Sequence, residues 1–553
     1  MLKSDKIPIT IGVVGHLDVI TTEDHKIQIE KLFNDLAVRY PNSPVFLFSS
    51  LAEGADRYVA NIFLDIKNQN DNLRERFELI VPMPFEKDEY KKDFDDISDR
   101  EFEELLKQAK RSFSIGYDGK VIDRPHQYLN TGKLVADSSL ILIALWDGEE
   151  GKKGGTADIV RHKITGDDDT VAESTFEYDG TVFVIPSGRS KSSLQISARP
   201  ESRDTLSLDL VLKDPSLKEA LDKIEEINRD SEELSHDELE QSKLCLFKDP
   251  EKLDQQGKWL LNWHSMLDVL SLGFRRKDTK VTVWLFSLGL ALILALELYS
   301  NILTNRLTFG IAMLILVVAV LIYFNAKIKR FHIKYLYNRT LAEALRIQFY
   351  WNYAGLQKNV SDYILRIHRK EFSWVKHILS AIYGITYNTG SIKPEKIIDI
   401  TENWIKNQAH FFEAAIKRMT QRIFRYHIVS NTSFIIAFVL FTSIFFFQDF
   451  YNSHDYLNLL LVISAVFLGI FALVKAYIQQ KGYEQLLNQY ELMQVIYQRA
   501  EAKINEINSI DESAEYKNSF LKELFFVVGK EALIENGNWY LIFKEKEPEV
   551  EGI

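Results

Sequence analysis

Four long apolar runs in the C-terminal half of the chain constrain its fold more than any other feature. They cover residues 281–299, 308–324, 428–447 and 457–474, and Glu297 is the only charged residue within them. Each run of about 17–20 residues is long enough to cross a hydrocarbon core of about 30 Å as a helix. We therefore expect four transmembrane helices. The alternative is a set of buried core helices in a large soluble protein.

Basic residues at the flanks of these runs predict their orientation. The connecting loops 300–307 and 448–456 carry only Arg306 as a strong base, whereas the other flanks are rich in lysine and arginine. By the positive-inside rule, both termini and the central segment are expected in the cytoplasm of a multi-pass membrane protein. The lipid bilayer is then a partner. The basic residues at these flanks are Arg275, Arg276, Lys277, Lys280, Lys327, Lys329, Arg330, Lys417, Arg418, Arg422, Arg425, Lys475 and Lys481.

The membrane half contains an internal repeat. Each unit has an amphipathic approach helix, two spans, and a long aromatic-rich helix at residues 328–356 or 477–504. Repetition on this scale indicates one two-span module that is used twice. We expect an all-α membrane domain with four transmembrane helices in two repeated hairpins.

The N-terminal half alternates strand and helix patterns. Continuous apolar runs at residues 9–14, 45–48, 79–82, 140–146 and 182–185 predict strands, with helices at 26–40 and 52–66 between them. Such strands with helical crossovers are typical of a parallel sheet buried on both faces. The fold class expected for this half is α/β and Rossmann-like. Residues 214–246 predict a helical connector, with a solvated linker as the alternative.

Composition narrows the class of protein further. The chain has 553 residues, a formal net charge of −11 and one cysteine, Cys245. A single cysteine excludes an intramolecular disulfide and a cysteine-rich zinc site, and no metal site is expected. The first half has no basic stripe, which argues against a nucleic-acid partner. The start of the chain has no signal-peptide pattern, so the first half is expected in the cytoplasm.

These patterns predict six segments. We expect a nucleotide-binding domain at 1–195, a helical connector at 196–262, a first two-span unit at 263–360 and a cytoplasmic helical segment at 361–410. A second two-span unit at 411–510 and a cytoplasmic tail at 511–553 follow.

Two glycine turns in the first half are candidates for phosphate binding. The first, GVVGHLD, follows the first strand and contains Gly15, His16, Leu17 and Asp18. The second, KGGTAD, opens an apparent helix at residues 157–164. Glycines let a backbone approach a phosphate closely, and the amides at a helix start attract anions. Either glycine turn can equally be only a turn. The candidate residues of the second are Gly154, Gly155, Thr156 and Asp158.

Two further loops complete the candidate site. In SSLAEGADR, Ser49, Ser50 and Glu53 offer polar groups to a ligand, although Ser50 can also simply cap the next helix. Asp56 and Arg57 fall in the first turns of that helix, where two interpretations are open: a ligand contact or a structural pair.

Polar residues also follow the most apolar strand. Trp146 can stack on a base or simply pack, and Asp147 can accept from ribose hydroxyls. Arg124 precedes a predicted helix at 131–136, where it would clamp a phosphate or remain a solvated charge.

The order GVVGHLD, SSLAEGADR, VPMPF, ALWDG and GGTADIV resembles the SLOG superfamily, a Rossmann-like nucleotide-binding group that includes DprA-like and LOG proteins. The resemblance covers about residues 5–190. The membrane half is similar, more loosely, to the SLATT modules that accompany such domains in bacterial conflict systems. The segments 338–351 and 529–539 carry that second likeness.

The resemblance implies a ligand class and an output. Its implied ligands are nucleotide second messengers, including cyclic nucleotides, cyclic ADP-ribose-like molecules and NAD, made by an upstream enzyme without stable contact. LOG-type hydrolases carry a glutamate shortly after the glycine turn, whereas Asp158 is the nearby acid here. That difference favours binding over hydrolysis, with the nucleotide as a ligand and no cofactor.

Three functions remain open at this point. The first is an antiphage membrane effector that binds a nucleotide signal, forms a homo-oligomer and permeabilises the inner membrane. The second is a membrane-tethered hydrolase of a nucleotide or NAD N-glycosidic bond, with Asp158 or Asp56 as the acid–base group. The third is a nucleotide-regulated transporter, although the spans have few of the midplane charges that transport requires.

Overall fold

A computed structural model describes residues 6–116, 123–150, 154–166, 181–190, 207–364, 369–388 and 394–544. Its N-terminal part holds a six-stranded sheet in which all neighbouring strands are parallel. Five strands were predicted, and the α/β fold class is confirmed. The strands are β1 (Ile9–Gly15), β2 (Val45–Phe48), β3 (Phe77–Met83), β4 (Arg111–Ser114), β5 (Ile141–Trp146) and β6 (Val182–Pro186).

The sequence does not predict strand β4, because its residues are not mainly apolar. It lies at the edge of the sheet, where Arg111, Phe113 and Ser114 are half-buried and Ser112 is exposed. An edge strand buries less surface than a central one, so it needs no apolar run. Every residue of β2 and β3 is buried, which accounts for their continuous apolar sequences.

Helices connect the strands and then continue to the end of the described chain. Those up to residue 246 are α1 (Glu23–Arg39), α2 (Ala55–Gln69), α3 (Asp71–Arg74), α4 (Lys87–Tyr90), α5 (Asp96–Lys107), α6 (Arg124–Ser138), α7 (Thr156–Thr165), α8 (Leu208–Val211), α9 (Pro215–Asp230) and α10 (His236–Leu246). The later ones are α11 (Gln255–Asn301), α12 (Arg306–Lys329), α13 (Phe331–Tyr353), α14 (Arg369–Thr386), α15 (Pro394–Ile400), α16 (Asn407–Ser453), α17 (Leu457–Lys481), α18 (Tyr483–Ser509) and α19 (Ala514–Lys544).

Two local predictions about these helices were wrong. Helix α2 is capped by Gly54 and not by Ser50, because the chain makes an extra turn after β2 in which Gly54 has φ +79°. Helix α6 begins at Arg124, seven residues earlier than predicted. Pro125 stands in its first turn, where proline is favoured because that position needs no backbone N–H.

The chain divides into two compact units, and the first is discontinuous. It consists of Met1–Leu267 and Leu341–Lys393. The predicted connector is helical, and its helix α9 packs on the sheet domain: the Asn228 amide bonds both the N–H and the C=O of Ile7, at 2.9 and 2.8 Å. Helix α14 also belongs to this unit, where Arg111 donates to the carbonyls of Ile385 and Tyr387 at its C-terminal end.

The second unit consists of Asp268–Thr340 and Pro394–Ile553 and is helical. Within the described residues, four helices are long and apolar enough to cross a membrane, and they contain the four predicted apolar runs. A π-helical turn at Thr401–Lys406 joins α15 to α16. Trp404 in this turn is fully buried and packs against Tyr497 and Phe525, with ring centroids 6.5 and 6.3 Å apart.

The two hairpins have matching elements. Helices α11 and α16 have 47 residues each, and α12 and α17 have 24 and 25. Each second span ends at a left-handed residue, Arg330 with φ 51° or Gly482 with φ 57°. The matching lengths, within one residue, and the left-handed residue after each second span agree with a module that is used twice.

Candidate functional site

The carboxyl edge of the sheet has a point where the strand order reverses. The order is β4-β3-β2-β1-β5-β6, so the chain leaves β1 in one direction and β5 in the other. Ligands of open α/β sheets bind in the crevice at such a point. Gly15 ends β1 beside Leu145 of β5, and a Cβ atom there would lie 2.3 Å from that of Ala55. Close packing of β1 on α2 therefore requires glycine at this position.

Three polar side chains from three different loops meet at this edge. The Nε2 atom of His16, after β1, lies 3.0 Å from Oδ1 of Asp147, after β5. The Nε atom of Arg189, after β6, lies 2.8 Å from Oδ2 of the same carboxylate. We call these three residues the switch-point triad. Its side chains are 8, 14 and 29% exposed, in the order His16, Asp147 and Arg189.

The environment of the triad changes the pKa of two members. Burial lowers the pKa of His16, and the neighbouring Asp147 carboxylate offsets only part of that effect. Burial acts to raise the pKa of Asp147, but the amide of Glu149 together with His16 and Arg189 lowers it overall. At neutral pH the triad therefore holds an ionised carboxylate, a neutral imidazole and a guanidinium.

The sequence patterns did not predict Arg189 as a site residue. Its position nevertheless points to the site, because the residues SGR follow β6 as HLD follows β1 and WDG follows β5. A polar loop at the carboxyl end of a parallel strand is a candidate by the same rule. The distance between positions 147 and 189 in the chain concealed the relation.

Backbone bonds join the loop after β1 to the loop after β6. Val19 and Arg189 form an isolated antiparallel bridge. The N–H of Ile20 donates to the carbonyl of Gly188 at 2.8 Å, and the N–H of Ser190 donates to that of Asp18 at 2.9 Å. Since β5 lies between β1 and β6, this connection crosses the end of β5. Leu17 and Asp18 are thus on the connection itself, and the Leu17 side chain is largely exposed.

The loop after β2 is held by its own side chains. The N–H of Ser50 donates to Asp56 at 3.2 Å, the hydroxyl of Ser49 donates to the Asp56 carbonyl at 3.3 Å, and Glu53 is half-buried. Complete burial raises the pKa of Asp56 to about 7, although the amides of Ser50 and Ala52 and the charge of Arg57 oppose the shift.

The Arg57 side chain is buried and bonded to residues of its own loop and of helix α5. Its Nη1 atom donates to the carbonyl and hydroxyl of Ser98, at 2.9 and 2.8 Å, and lies 3.1 Å from Glu101. Its Nε atom donates to Leu51, which has a left-handed backbone, and its guanidinium lies 4.6 Å from the ring centroid of Phe94. These contacts assign Arg57 a structural role in holding this loop to α5.

The turn before α7 is held by the carboxylate of Asp158 in the same segment. The N–H of Gly154 donates to Oδ2 of Asp158 at 2.8 Å, and Thr156 is buried. Gly155 caps the helix without a side-chain bond. Gly154 has φ +82°, and a Cβ there would lie 2.5 Å from the carbonyl oxygen of Pro125. The turn therefore packs against the start of α6. Lys153 lies outside the described residues.

Two other predicted contacts have partners close by. Arg124 pairs with Glu89, at 2.6 Å, and with Asp93, and it lies 4.3 Å from the ring centroid of Phe85. Hydrogen bonds to these two carboxylates raise its pKa, against a smaller opposing effect of burial. The indole N–H of Trp146 donates to the carbonyl of Glu149 at 2.9 Å.

The structure thus separates the predicted residues into two groups. His16 and Asp147 meet each other and Arg189 across three loops, and Gly54 lets the loop after β2 approach the backbone of His16 and Leu17. Asp56, Arg57, Arg124 and Asp158 are each bonded within their own neighbourhood. Among the described residues, no group of three or more His, Cys, Asp or Glu side chains fits a metal ion.

The triad offers a ligand a guanidinium and an ionised carboxylate, which suit a phosphate and a hydroxyl group. Searches of protein-family models and of curated proteins find no match for this chain.

Proposed function

We propose that this protein is a membrane effector that binds a nucleotide second messenger at the switch-point triad and then permeabilises the membrane as an oligomer. One observation carries the proposal: a three-loop polar site at the switch point of a parallel sheet belongs to a chain with four membrane-spanning helices. The resemblance to SLOG and SLATT proteins adds the setting, bacterial antiphage defence at the inner membrane, with both termini in the cytoplasm.

The ligand class follows from the chemistry of the triad. Arg189 provides a bidentate donor for a phosphate, and Asp147 provides an acceptor for ribose hydroxyls. The start of α7 at Gly155 and Thr156 would add backbone amides, since the Gly154 N–H already donates to Asp158. A ribose phosphate has both groups, as in cyclic ADP-ribose-like molecules, NAD or cyclic nucleotides. An upstream enzyme would supply the signal.

Binding is expected to act through the triad's own ion pairs. A phosphate that engages Arg189 competes with Asp147 for the guanidinium and loosens the connection between the loops after β1 and β6. Helices α11 and α13 each begin in one compact unit and end in the other, so the chain passes from the sheet unit into the first hairpin and back. This continuity provides a covalent route from the site to the spans.

Binding and flux in the full-length protein test the proposal. Thermal shift in detergent, against a panel of NAD, cyclic nucleotides and cyclic ADP-ribose isomers, should identify a stabilising ligand. The same ligand should release dye from proteoliposomes. Arg189→Met should weaken binding at least tenfold, whereas Arg74→Met, at an exposed pair with Asp71, should leave it unchanged. Binding and leak that are the same in Arg189→Met as in the unaltered chain would contradict the proposal.

One observation favours hydrolysis as the second candidate. The pKa of Asp56, about 7, lies in the range that suits a general acid or base. Against it, the Asp56 carboxylate already accepts from amides of its own loop, and Asp158 accepts from Gly154. Product analysis after incubation with NAD and nucleoside monophosphates decides between the two: turnover that is lost in Asp56→Asn or Asp158→Asn would replace the effector proposal with an enzyme.

A further inference from the structure

Two lysines and two phenylalanines meet at the end of the first hairpin that is expected in the cytoplasm. Phe274 of α11 stacks on Phe331 of α13, with ring centroids 6.4 Å apart. The ammonium groups of Lys277 and Lys334 lie 5.2 and 5.1 Å from the Phe274 centroid, and that of Lys277 lies 5.8 Å from the Phe331 centroid. The electrons of an aromatic ring attract an ammonium at such distances. The ring pair therefore keeps two positive charges close together.

The charge of Lys277 is available to a ligand. Its side chain is exposed, and within the described residues it pairs with no carboxylate. The acid that follows it, Asp278, is bonded elsewhere: it pairs with Lys481 at 2.9 Å and lies 3.5 Å from Nδ1 of His332.

The residue before Phe331 adds a third charge at a cost in backbone conformation. Arg330 separates α12 from α13, is exposed, and has a left-handed backbone with φ 51° and ψ 38°. That conformation is unfavourable for a residue with a Cβ atom, and where it persists it is often connected with function. We call Phe274, Lys277, Arg330, Phe331 and Lys334 the basic–aromatic site. All five belong to the second compact unit.

The second hairpin provides an internal comparison. Gly482 follows its second span as Arg330 follows that of the first, and the two differ by 152 in number. With the same difference, the phenylalanine pair corresponds to Tyr426 and Tyr483, which stack with centroids 5.9 Å apart. The left-handed residue and the ring pair thus recur in both hairpins.

The three charges of the basic–aromatic site do not recur. One cation, Arg422, lies 6.0 Å from the Tyr483 centroid. Both hairpins have basic residues near this end, so the positive-inside rule does not explain why the first has them on both helices of its ring pair. The positions equivalent to those of Lys277, Arg330 and Lys334 are occupied by Val429, Gly482 and Leu486.

The surroundings of the site suit a lipid more than a soluble anion. On α11, Lys280 and Trp284 follow Lys277 by three and seven residues, so the three share one face of the helix. Trp284 is 60% exposed, and tryptophan is favoured at the boundary between headgroups and acyl chains. Towards the same end of α12, Leu321 and Ile328 are 64 and 79% exposed and offer apolar surface to acyl chains.

We propose that the basic–aromatic site binds the phosphate of an anionic phospholipid, whose acyl chains lie along α11 and α12. The ammonium groups of Lys277 and Lys334 donate to the phosphate oxygens, and Arg330 adds to the positive potential. Clusters of lysine and arginine directly beyond a span attract anionic lipids in this way.

This inference rests on the membrane-spanning part of the proposed function and does not need the nucleotide site. The two can fail separately. A protein that selects an anionic lipid but binds no nucleotide would overturn the nucleotide part of the proposed function alone. A protein that binds a nucleotide but does not distinguish lipids would overturn only this inference.

Lipid titration of the full-length protein in a neutral detergent tests the site. Phosphatidylglycerol is added while the melting temperature is followed, and zwitterionic phosphatidylcholine provides the comparison. We expect half of the stabilisation at a phosphatidylglycerol concentration about tenfold lower than that of phosphatidylcholine. Lys277→Gln/Lys334→Gln should remove this preference. Inorganic phosphate at the same ionic strength should not stabilise the protein, because it lacks acyl chains, and stabilisation by phosphate alone would overturn the assignment to a lipid.

A matched variant separates the site from general charge attraction. Arg422→Gln/Arg425→Gln removes two exposed cations before the third span, one of them beside the tyrosine pair. We expect it to change the affinity for phosphatidylglycerol by no more than about twofold. An equal loss in this variant and in Lys277→Gln/Lys334→Gln would show that the surface charge as a whole attracts the lipid, which would overturn the site.

Arg330→Gly keeps the test independent of folding. It introduces the residue that the second hairpin has at this position, and glycine adopts the left-handed backbone without strain. The lipid-free protein should therefore melt no lower than the unaltered chain, whereas the affinity for phosphatidylglycerol should fall by about fivefold. An unchanged affinity in Arg330→Gly, or equal responses of the unaltered chain to the two lipids, would overturn the inference.

Discussion

Two groups of polar residues at the same sheet edge differ in where their partners come from. Asp56, Arg57 and Asp158 bond to neighbours in their own loop or in an adjacent helix. In the switch-point triad, His16 and Arg189 reach Asp147 from two other loops. A side chain bonded within its own loop stabilises that loop, whereas bonds across loops can be exchanged for bonds to a ligand. The first group should therefore respond to mutation mainly in stability, and the triad mainly in binding.

Replacing Arg57 tests the first group with the largest expected effect. Arg57→Met removes the bonds to Ser98 and Leu51 and leaves buried acceptors unpaired, which should cost about 3–5 kcal/mol. The apparent melting temperature of the full-length protein in detergent should fall by several degrees or more. Arg74→Met, at an exposed pair, should change it little. A melting temperature unchanged in Arg57→Met would show that this loop does not depend on the arginine.

The pH dependence of Asp56 should be the next largest effect. Its pKa is raised in the folded protein to about 7 from an ordinary value of 3.8, so the folded state binds the proton more tightly than the unfolded state. The stabilisation is complete below about pH 4 and is lost as the pH rises through about 7. We expect on the order of 1–4 kcal/mol over that window.

Asp56→Asn provides the control for that window. Asparagine keeps an acceptor for the Ser50 amide but does not ionise, so melting temperatures measured from pH 4 to pH 8 should lose the component due to Asp56. A decline that is equally steep in Asp56→Asn would assign the pH dependence to other groups.

Gly154 and Gly148 form a matched pair with a smaller expected effect. Both have a left-handed backbone, with φ +82° and +86°, so alanine at either position should cost roughly 1–2 kcal/mol. Only Gly154 also faces a backbone atom, the carbonyl oxygen of Pro125 at 2.5 Å from an added Cβ. Gly154→Ala should therefore lower the melting temperature more than Gly148→Ala does. Equal effects would show that the turn before α7 has room to shift away from α6.

Arg189→Met should have the smallest effect on stability and a large one on ligand binding. Its guanidinium is partly exposed, so loss of the pair with Asp147 should cost no more than about 1 kcal/mol. The nucleotide affinity should nevertheless fall at least tenfold, as measured by titration of the full-length protein. A large fall in melting temperature without a change in affinity would move Arg189 into the structural group.

Periodicity predicted most of the fold. Five of the six strands and all four spans follow from continuous apolar runs, because burial on both faces or in a bilayer selects such residues directly. Strand β4 and the start of α6 were not predicted in this way. An edge strand and a helix start have few buried side chains, so their sequences lack a clear hydrophobic periodicity.

The sequence by itself determined the class of each half: a parallel α/β sheet with polar turns at its strand ends, and two copies of a membrane hairpin. These features are local, since they depend on residues a few positions apart. Only the tertiary structure decided which polar residues meet. It brought Arg189 to Asp147 and Arg57 to Ser98. The physical reason is that these contacts join residues far apart in the chain, and the order of the strands and the packing of the helices select them.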